Sequence, residues 1–508
     1  MPDHPLPPPR VAIATLRTVH PRILAGLTIL VLFIANGLAV LWVAARPSPI
    51  HIAFANTLSG AVEPVGAEIL KAAGLYVDEV NRSGGVDGHP IVLDRFDDLG
   101  TPDGARANVQ AIADGPALAV FGHLLSPTSL AAGPGYRAAH IPALSSQALA
   151  DALTVDNPFY FRAQTPNSQQ AQWLAYYIQD VLLGGCGQLP GNTRLDLVTS
   201  NDAYGLSYAG GFVPVLGGRS PKTWTLNVDP KALAASAQAT ADALAREPEP
   251  RIIVIGVSLD SSPALVKAIR RRGIHAMLVL SVAGGDGYLA NFADEPEERI
   301  TPGFFTSNLY TTASVIFDTV GSPGQQFAES YTAATGKPPS QVSDGANDAM
   351  RIMTEALRRA HPANTAQSKA RDREKIRDAL ASIDSPEHGV LGLDGPLYFN
   401  PNRDMPRSLR FGSFDRGRLV SAPIQIVAVQ NPALIDLGKE IAAGRIVTIG
   451  DRFFWLQRVV YAGINIAHLG GIDIKARTFN ADVYVWLRYG GDDDAPTHIC
   501  SGAQSKCG

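Results

Sequence analysis

From His51 onward the chain alternates short apolar runs with amphipathic segments separated by Gly, Ser or Asp turns, and this strand, turn, helix rhythm constrains the fold most. Strands that alternate with helices pair in parallel, with the helices laid over the sheet faces. Residues 50–55 read as the first strand. The helix after it sets Val65, Ile69, Ala72, Tyr76 and Val80 on one face and stops at Ser83-Gly84-Gly85. Residues 91–93 give a second strand running into Asp97-Asp98, residues 103–113 a polar helix, and residues 117–121 a strand of the fully buried kind. Gly122 ends that strand, and Ser126-Pro127 reads as an N-cap serine ahead of a proline at the first helical position. A second series follows, with strands at 194–199, 251–257 and 276–280. In it Ser262-Pro263 repeats the cap device, and the helix carries Arg270, Arg271 and Arg272 at its negative end before Gly273. Two series in tandem imply two lobes. Helices are further expected at 346–360 and, from its alternating charges, at 369–377.

Ahead of the first strand, residues 23–45 form a stretch of 23 residues whose polar interruptions are Thr28 and Asn36, long enough to cross a bilayer. Arg10, Arg17 and Arg22 precede it against Asp3, and Arg46 is the sole close cation behind it. The positive-inside rule therefore puts residues 1–22 in the cytoplasm and everything after residue 46 in the periplasm. The expectation is an uncleaved, single-pass anchor in the inner membrane. A cleaved signal peptide competes with it, since Val43 and Ala45 satisfy the small-residue rule before a cut, and a buried soluble helix is the third reading. At 508 residues the chain is too long for one compact domain. With 18% charged residues and a net charge of −4 it has no basic surface for nucleic acid. Cys186, Cys500 and Cys507 are too few for a disulfide framework or a Cys-rich zinc site, and allow one bridge, between the last two.

In open α/β sheets ligands bind outside the carboxyl ends of the strands, where loops and helix N-termini present unpaired N–H groups. Those ends are residues 56–59, 126–128, 145–147, 201–204, 258–261 and 281–286. Singly, each serine or asparagine there is an ordinary cap or turn former; their recurrence at successive strand ends makes the joint case. Phosphate-loop, nucleophile-elbow and zinc-helix motifs are missing from the sequence, so it reads as no enzyme, with no cofactor or metal. Asp97-Asp98 would lie on opposite faces of a strand, unsuited to a shared ion. Asp492-Asp493-Asp494 reads as a solvated acidic turn.

Thr57-Leu58-Ser59-Gly60, the run 81–88 (NRSGGVDG), Asp97-Asp98, the run 121–126 (FGHLLS), Tyr160-Phe161-Arg162 and Tyr204-Gly205 occur in order along some three quarters of the chain. In these segments the chain resembles the type I periplasmic binding proteins of the leucine/isoleucine/valine-binding family. The resemblance implies two α/β lobes joined by three crossovers, with a ligand held between them by hinge closure. It implies ligand contacts at Ser126 and Tyr204, and a contact segment at 145–149 where Gln147 and Leu149 replace small residues and a threonine. The family's amino-acid binders also carry an acidic residue after the strand that matches 276–280. Here that stretch is SVAGGD, and a shifted Asp286 is the one candidate. The expected ligand residues are Ser59, Ser126, Thr128, Ser145, Gln147, Ala148, Tyr204, Ser258 and Asp286.

The two-lobed domain is expected to span 50–429, with a linker at 430–452 and a partial β-domain with a flexible tail at 453–508. Within that last segment 459–466 and 478–489 alternate with period two, as a hairpin does. They resemble, weakly, the opening strands of the extracellular β-sandwich of prokaryotic pentameric ligand-gated channels; the alternative is a hairpin packed on the lobe. The function expected is capture of an amino acid, amide or related small carboxylate by a membrane-anchored solute-binding protein that serves an ABC permease. The alternative is a sensor that signals lobe closure to a membrane receptor or channel-like partner.

Overall fold

The computed structural model describes residues 47–489 apart from 184–188, 191, 217–218, 250, 283–284, 416–417, 430–431, 450–451, 474 and 476. The expected cytoplasmic tail and membrane span, the three cysteines and residues 490–508 lie outside the described residues. Among the described residues no helix is long and apolar enough to cross a membrane.

The first lobe is a five-stranded parallel sheet: β1 (Ile50–Asn56), β2 (Ile91–Asp97), β3 (Ala119–Gly122), β4 (Ala143–Ser145) and β5 (Tyr160–Arg162), in the order β2-β1-β3-β4-β5. All four residues of β3 are buried, as its unbroken apolar run requires. Helices Glu63–Arg82, Gln341–Ala360 and Lys369–Ala381 bury Ile69, Met350, Met353 and Ile376 against Ile52 and Phe54. Helix Gln341–Ala360 starts five residues before the apolar periodicity shows, because Ser340 and Ser343 form a capping box.

The second lobe is a seven-stranded sheet built from β6 (Arg194–Ser200), β7 (Lys222–Leu226), β8 (Arg251–Gly256), β9 (Met277–Leu280), β10 (Leu309–Ala313), β13 (Arg410–Asp415) and β14 (Arg418–Ser421), in the order β14-β13-β10-β9-β8-β6-β7. Its first five strands are parallel, and β13 and β14 extend it antiparallel. Between β10 and β13 the chain returns to the first lobe and forms the short hairpin β11 (Val390–Gly392) and β12 (Gly395–Leu397).

Both serine-proline devices work differently from expectation. Helix Ser126–Ala138 is preceded by Leu125, with no side-chain cap, and the Ser126 hydroxyl instead accepts from the amides of Leu149 and Ala150. Helix Ser262–Arg271 follows Ser261 and also lacks a side-chain cap. Local sequence reads the proline at the helix start correctly but cannot show that a distant loop takes the hydroxyl. Arg270 reaches past the helix end, donating to the carbonyls of Ile274, Ala276 and Ser307 rather than to those of its own last turn.

Three crossovers join the lobes: after β5, after β10 through Ser314, and from β12 to β13 through residues 404–409. They are fastened by buried charge. Arg162 Nε lies 2.9 Å from Asp404 Oδ1, and Arg407 Nη2 donates to Asp344 at 2.7 Å and Asp348 at 2.8 Å on the long helix. The Arg407 amide donates to Thr165 Oγ1, which ties the first crossover to the third.

Beyond β14, the expected linker carries the helix Leu437–Ala442 and β16 (Ile446–Ile449), and a strand from beyond the expected boundary is part of the second lobe. β17 (Arg452–Arg458) lies between β15 (Ile424–Ala428) and β16, antiparallel to both. Phe454 is 2% exposed and meets Trp173 edge-on at 5.5 Å. The hairpin is present, with β18 (Val460–Asp473) longer than expected and paired to β19 (Thr478–Tyr489) across two register shifts. Ile464, Ile466, Val485 and Leu487 on one of its faces are exposed.

Two outcomes follow from this packing. Phe454→Ala should cost about 3–5 kcal/mol in urea unfolding, as a core aromatic truncation does, whereas deletion of 460–508 should leave the melting temperature nearly unchanged; an equal effect of both would place the hairpin in the cooperative core. The second concerns pH. Burial pushes the Asp344 carboxyl up to about 7, with Arg407 opposing and Asp348 and Asp394 adding to the rise. An acid that holds its proton better folded than unfolded contributes most below its unfolded value of 3.8, and that contribution falls as pH rises towards about 7. Asp344→Asn should remove about one proton from the pH dependence of unfolding between those limits; an unchanged slope would refute the assignment.

Candidate ligand cleft

The carboxyl ends of the first-lobe strands rest on a buried polar network. Asp98 accepts from Thr57 Oγ1 at 2.7 Å and the Gly100 amide at 2.9 Å, and its other oxygen lies 2.6 Å from His123 Nδ1. His123 Nε2 is 2.8 Å from the Tyr136 hydroxyl. Burial works against the Asp98 charge, but the hydrogen bonds from His123, Thr57 and Gly100 and the nearby imidazole hold its carboxyl below the usual range. Gly122 is required ahead of this histidine: at φ +150° a Cβ there would stand 1.8 Å from the Ala55 carbonyl oxygen. Asp97 has separate partners, the amides of Leu58 and Leu99 and the Ser59 hydroxyl. The adjacent carboxylates therefore share no partner but brace the same segments, 57–59 and 99–100, and Asp98 alone reaches His123.

The network carries the contact segment. Ser145 Oγ donates to the His123 carbonyl at 2.7 Å and accepts from the amides of Ala148 and Gln147 at 2.9 and 3.3 Å. Ser126 accepts from Leu149 and Ala150 at 3.1 and 3.0 Å, which leaves its one proton available. Together the two serines shape the loop 145–150 and aim Leu149 at the second lobe. Leu149, 4% exposed, belongs to the same apolar cluster as Tyr204, Val257, Leu259 and Val282. Its carbonyl accepts from the Asn167 amide and from Arg162 Nη1.

On the facing side Tyr204 opens the helix Ala203–Val215, whose cap is Asp202 accepting from the Gly205 amide. Glycine follows the tyrosine because a Cβ at 205 would lie 2.1 Å from the Ser200 carbonyl oxygen. Ser281 Oγ donates to the Val257 carbonyl at 3.2 Å, so the Tyr204 hydroxyl, 3.0 Å from Ser281 Oγ, is the donor of that pair. Burial pushes the Tyr204 phenol well up, and it stays protonated. Asn167, on the first crossover, donates to the Tyr204 carbonyl at 2.7 Å.

Of the nine expected residues, the structure joins Ser126, Ser145, Gln147 and Ala148 in one hydrogen-bonded loop and reaches Tyr204 through Leu149. The others are engaged elsewhere: Thr128 donates to Leu125 within its helix, Ser59 to Asp97, and Ser258 to Asp260. Asp286 lies in the first turn of the helix Gly285–Ala293, and its side chain is outside the described residues. Leu149 lay in the expected contact segment 145–149 and Ser281 in the expected strand end 281–286 without being among the nine, and Asn167 was in neither. Leu149 was legible as a large apolar residue at a strand-end loop; Asn167 and Ser281 carry no local signal that separates them from caps. The arrangement offers neutral hydroxyls, an amide and apolar surface, which suits reversible binding.

The chain belongs to the periplasmic binding protein family, whose model matches residues 49–418. It is 24% identical over 380 residues to the Leu/Ile/Val-binding protein homolog 8 of Brucella abortus, a match covering 72% of this chain and 88% of that one. Its fold is similar to that of the branched-chain amino acid transporter substrate-binding protein LivJ of Streptococcus pneumoniae in complex with isoleucine. That likeness has a TM-score of 0.61 and 20% identity, and covers 74% of this chain and all of LivJ. It is also similar to an R. palustris ABC transporter solute-binding protein in complex with benzoate, at a TM-score of 0.58 and 19% identity, over 73% of this chain and 95% of that one. These are binding proteins, and this chain is one too rather than an enzyme.

Ser126→Ala leaves the buried amides of Leu149 and Ala150 without an acceptor, so it should lower unfolding stability by about 1–3 kcal/mol even without ligand. Unchanged stability would show that the hydroxyl does not shape the loop.

Proposed function

We propose that this chain captures a small extracytoplasmic solute between its two lobes and delivers it to an ABC-type permease in the membrane. The observation that carries this reading is the meeting of the two rows of strand carboxyl ends at Leu149 and Tyr204, with Asn167 on a crossover bonded to both segments. A cleft whose two walls are linked through its hinge can close on a ligand and open to release it. The family places such a domain outside the cytoplasm. Relatives hold isoleucine or benzoate. Here Ser281 and Val282, not a carboxylate, follow β9, and Leu149 adds an apolar wall. This favours an amide or a small carboxylate with an apolar body over a free amino acid, which needs a partner for its ammonium. Residues 126, 145–149 and 204 form the contact set, and residues 23–45 the anchor.

A second reading, a sensor, is favoured by one feature. The Tyr461 hydroxyl at the base of the β18–β19 ribbon donates to Asp318 on the second crossover at 2.8 Å, so hinge movement reaches an exposed apolar ribbon that a receptor or channel-like partner can engage.

A thermal-shift screen of amino acids, amides and aromatic acids tests the solute class, since a ligand that binds only the folded state raises the melting temperature. Amides and monocarboxylates should give the largest rises. Tyr204→Ala should abolish them while the unliganded protein still melts cooperatively, whereas rises that persist in Tyr204→Ala would move the ligand out of this cleft.

A further inference from the structure

The β18–β19 ribbon has two unlike faces. Ile464, Ile466 and Leu469 lie opposite Val485, Val483 and Ala481, and the register shift between Ile466 and His468 keeps Leu469 on the face of the residues before it. Alternation adds Ala462, Phe479 and Leu487, so over 462–469 and 479–487 this face has no charged or hydrogen-bonding side chain. The opposite face carries Asn465, His468, Asp482 and Tyr484, and there the Trp486 indole lies across Gly463, where a Cβ would stand 1.9 Å from the ring. One face is therefore polar and partly roofed by its own aromatic, while the apolar face has no cover among the described residues. Ile464 is 70% exposed, Phe479 62%, Leu469 53% and Val485 48%. With Ile466, Val483 and Leu487 these side chains leave on the order of 700 Å² open to water, above the roughly 300–600 Å² of the largest apolar patch on an ordinary monomer.

We propose that this face is covered by the same face of a second copy of the chain, the two ribbons stacking as a four-stranded sandwich about a two-fold axis. Area and charge select that occupant. Two such faces together bury about 1,400 Å², inside the roughly 1,200–2,000 Å² of a stable specific interface. A face without charge meets itself with no like-charge contact and buries no polar side chain unpaired, as a self-complementary two-fold contact requires. A charged partner would lose its hydration there with nothing to replace it. Residues 490–508 of the same chain do not match the face, since Ile499 is their one large aliphatic residue and three aspartates precede it. Stacking also supplies what the ribbon lacks, because two strands are marginal in water while two packed layers bury their inner faces and keep the polar faces outside. The pairing requires nothing of the interlobe cleft. It does join the second crossovers of the two copies, since Tyr461 at each ribbon base donates to Asp318.

Sedimentation equilibrium of the full chain in a density-matched detergent tests the pairing. The unmodified chain should pass from monomer to dimer as its concentration rises through the micromolar range. Ile464→Glu with Val485→Glu sets like charges against each other at the middle of the face and should weaken the dimer by about a hundredfold or more. Both side chains are exposed in the single chain, so the melting temperature of the dilute monomer and its response to cleft ligands should not change. Ile464→Lys with Val485→Lys should likewise be monomeric by itself, and an equimolar mixture of the Glu and Lys chains should recover the dimer, a rescue that only a face set against itself gives. Four results overturn the proposal. A monomer at every concentration leaves the face without a second copy, and a dimer that survives the Glu variant puts the contact at a strand edge or at residues 23–45. Charge variants that stay monomeric when mixed assign the face to some other surface. A monomeric chain whose melting temperature falls in the Glu variant has the face covered by its own residues.

Discussion

One guanidinium determines how the two lobes are allowed to meet. Arg407 sits on the last crossover and is held by two carboxylates one helical turn apart, Asp344 and Asp348, on a helix that belongs to the first-lobe core. Its amide is bonded to Thr165 of the first crossover, and near that crossover's start Arg162 is held by Asp404. Two of the three connections are therefore locked to each other and to one lobe. Buried ion pairs contribute little net stability relative to a packed apolar core, but breaking one leaves an uncompensated charge, which makes the arrangement hard to replace by a nearby alternative. Any rotation of one lobe against the other would therefore have to be taken up by the segments that flank the pinned residues.

That lock was invisible in the sequence. Arg407 lies between prolines and serine with no periodicity around it, and the helix it engages reads as an apolar face whose aspartates look like solvated positions. The lobes themselves were legible because parallel strands buried on both faces give unbroken apolar runs, and because helices over a sheet show a period near 3.6 residues. Strand 117–121 and helix 346–360 needed only their ends adjusted. Ser126 was legible as a position and not as a role, since an N-cap and an acceptor for a loop more than twenty residues away demand the same side chain. β17 shows the complementary failure: the alternation read from the sequence lay further on, at 459–466 and 478–489, while antiparallel pairing of 452–458 to β15 and β16 is a tertiary fact, and the expected linker boundary fell inside one sheet.

The cleft is built mainly of groups that have already met their hydrogen-bonding needs. Ser145 is saturated, Tyr204 donates to Ser281, and His123 is held between Asp98 and Tyr136. Such a site recognises its ligand less by newly recruited charge than by a fixed shape with a few remaining polar groups, among them the Ser126 proton. Preorganisation of this sort reduces the ordering cost of binding and favours compact ligands with an apolar body.

The ribbon makes sense against the same mechanics. A two-stranded hairpin is marginal in water by itself, and β18–β19 leaves Ile464, Ile466, Val485 and Leu487 exposed on one face. It is nonetheless held in a defined place at its base, because one residue separates β18 from β17, whose Phe454 is in the second-lobe core. Asp318, which receives the Tyr461 hydroxyl, also accepts from the Ser421 amide and hydroxyl, so the ribbon base, the edge strand β14 and the second crossover share one carboxylate. Any rotation taken up by that crossover must therefore either carry the ribbon with it or break a charge-assisted contact. The exposed apolar face is thus coupled to the hinge through its base, whatever surface comes to cover it.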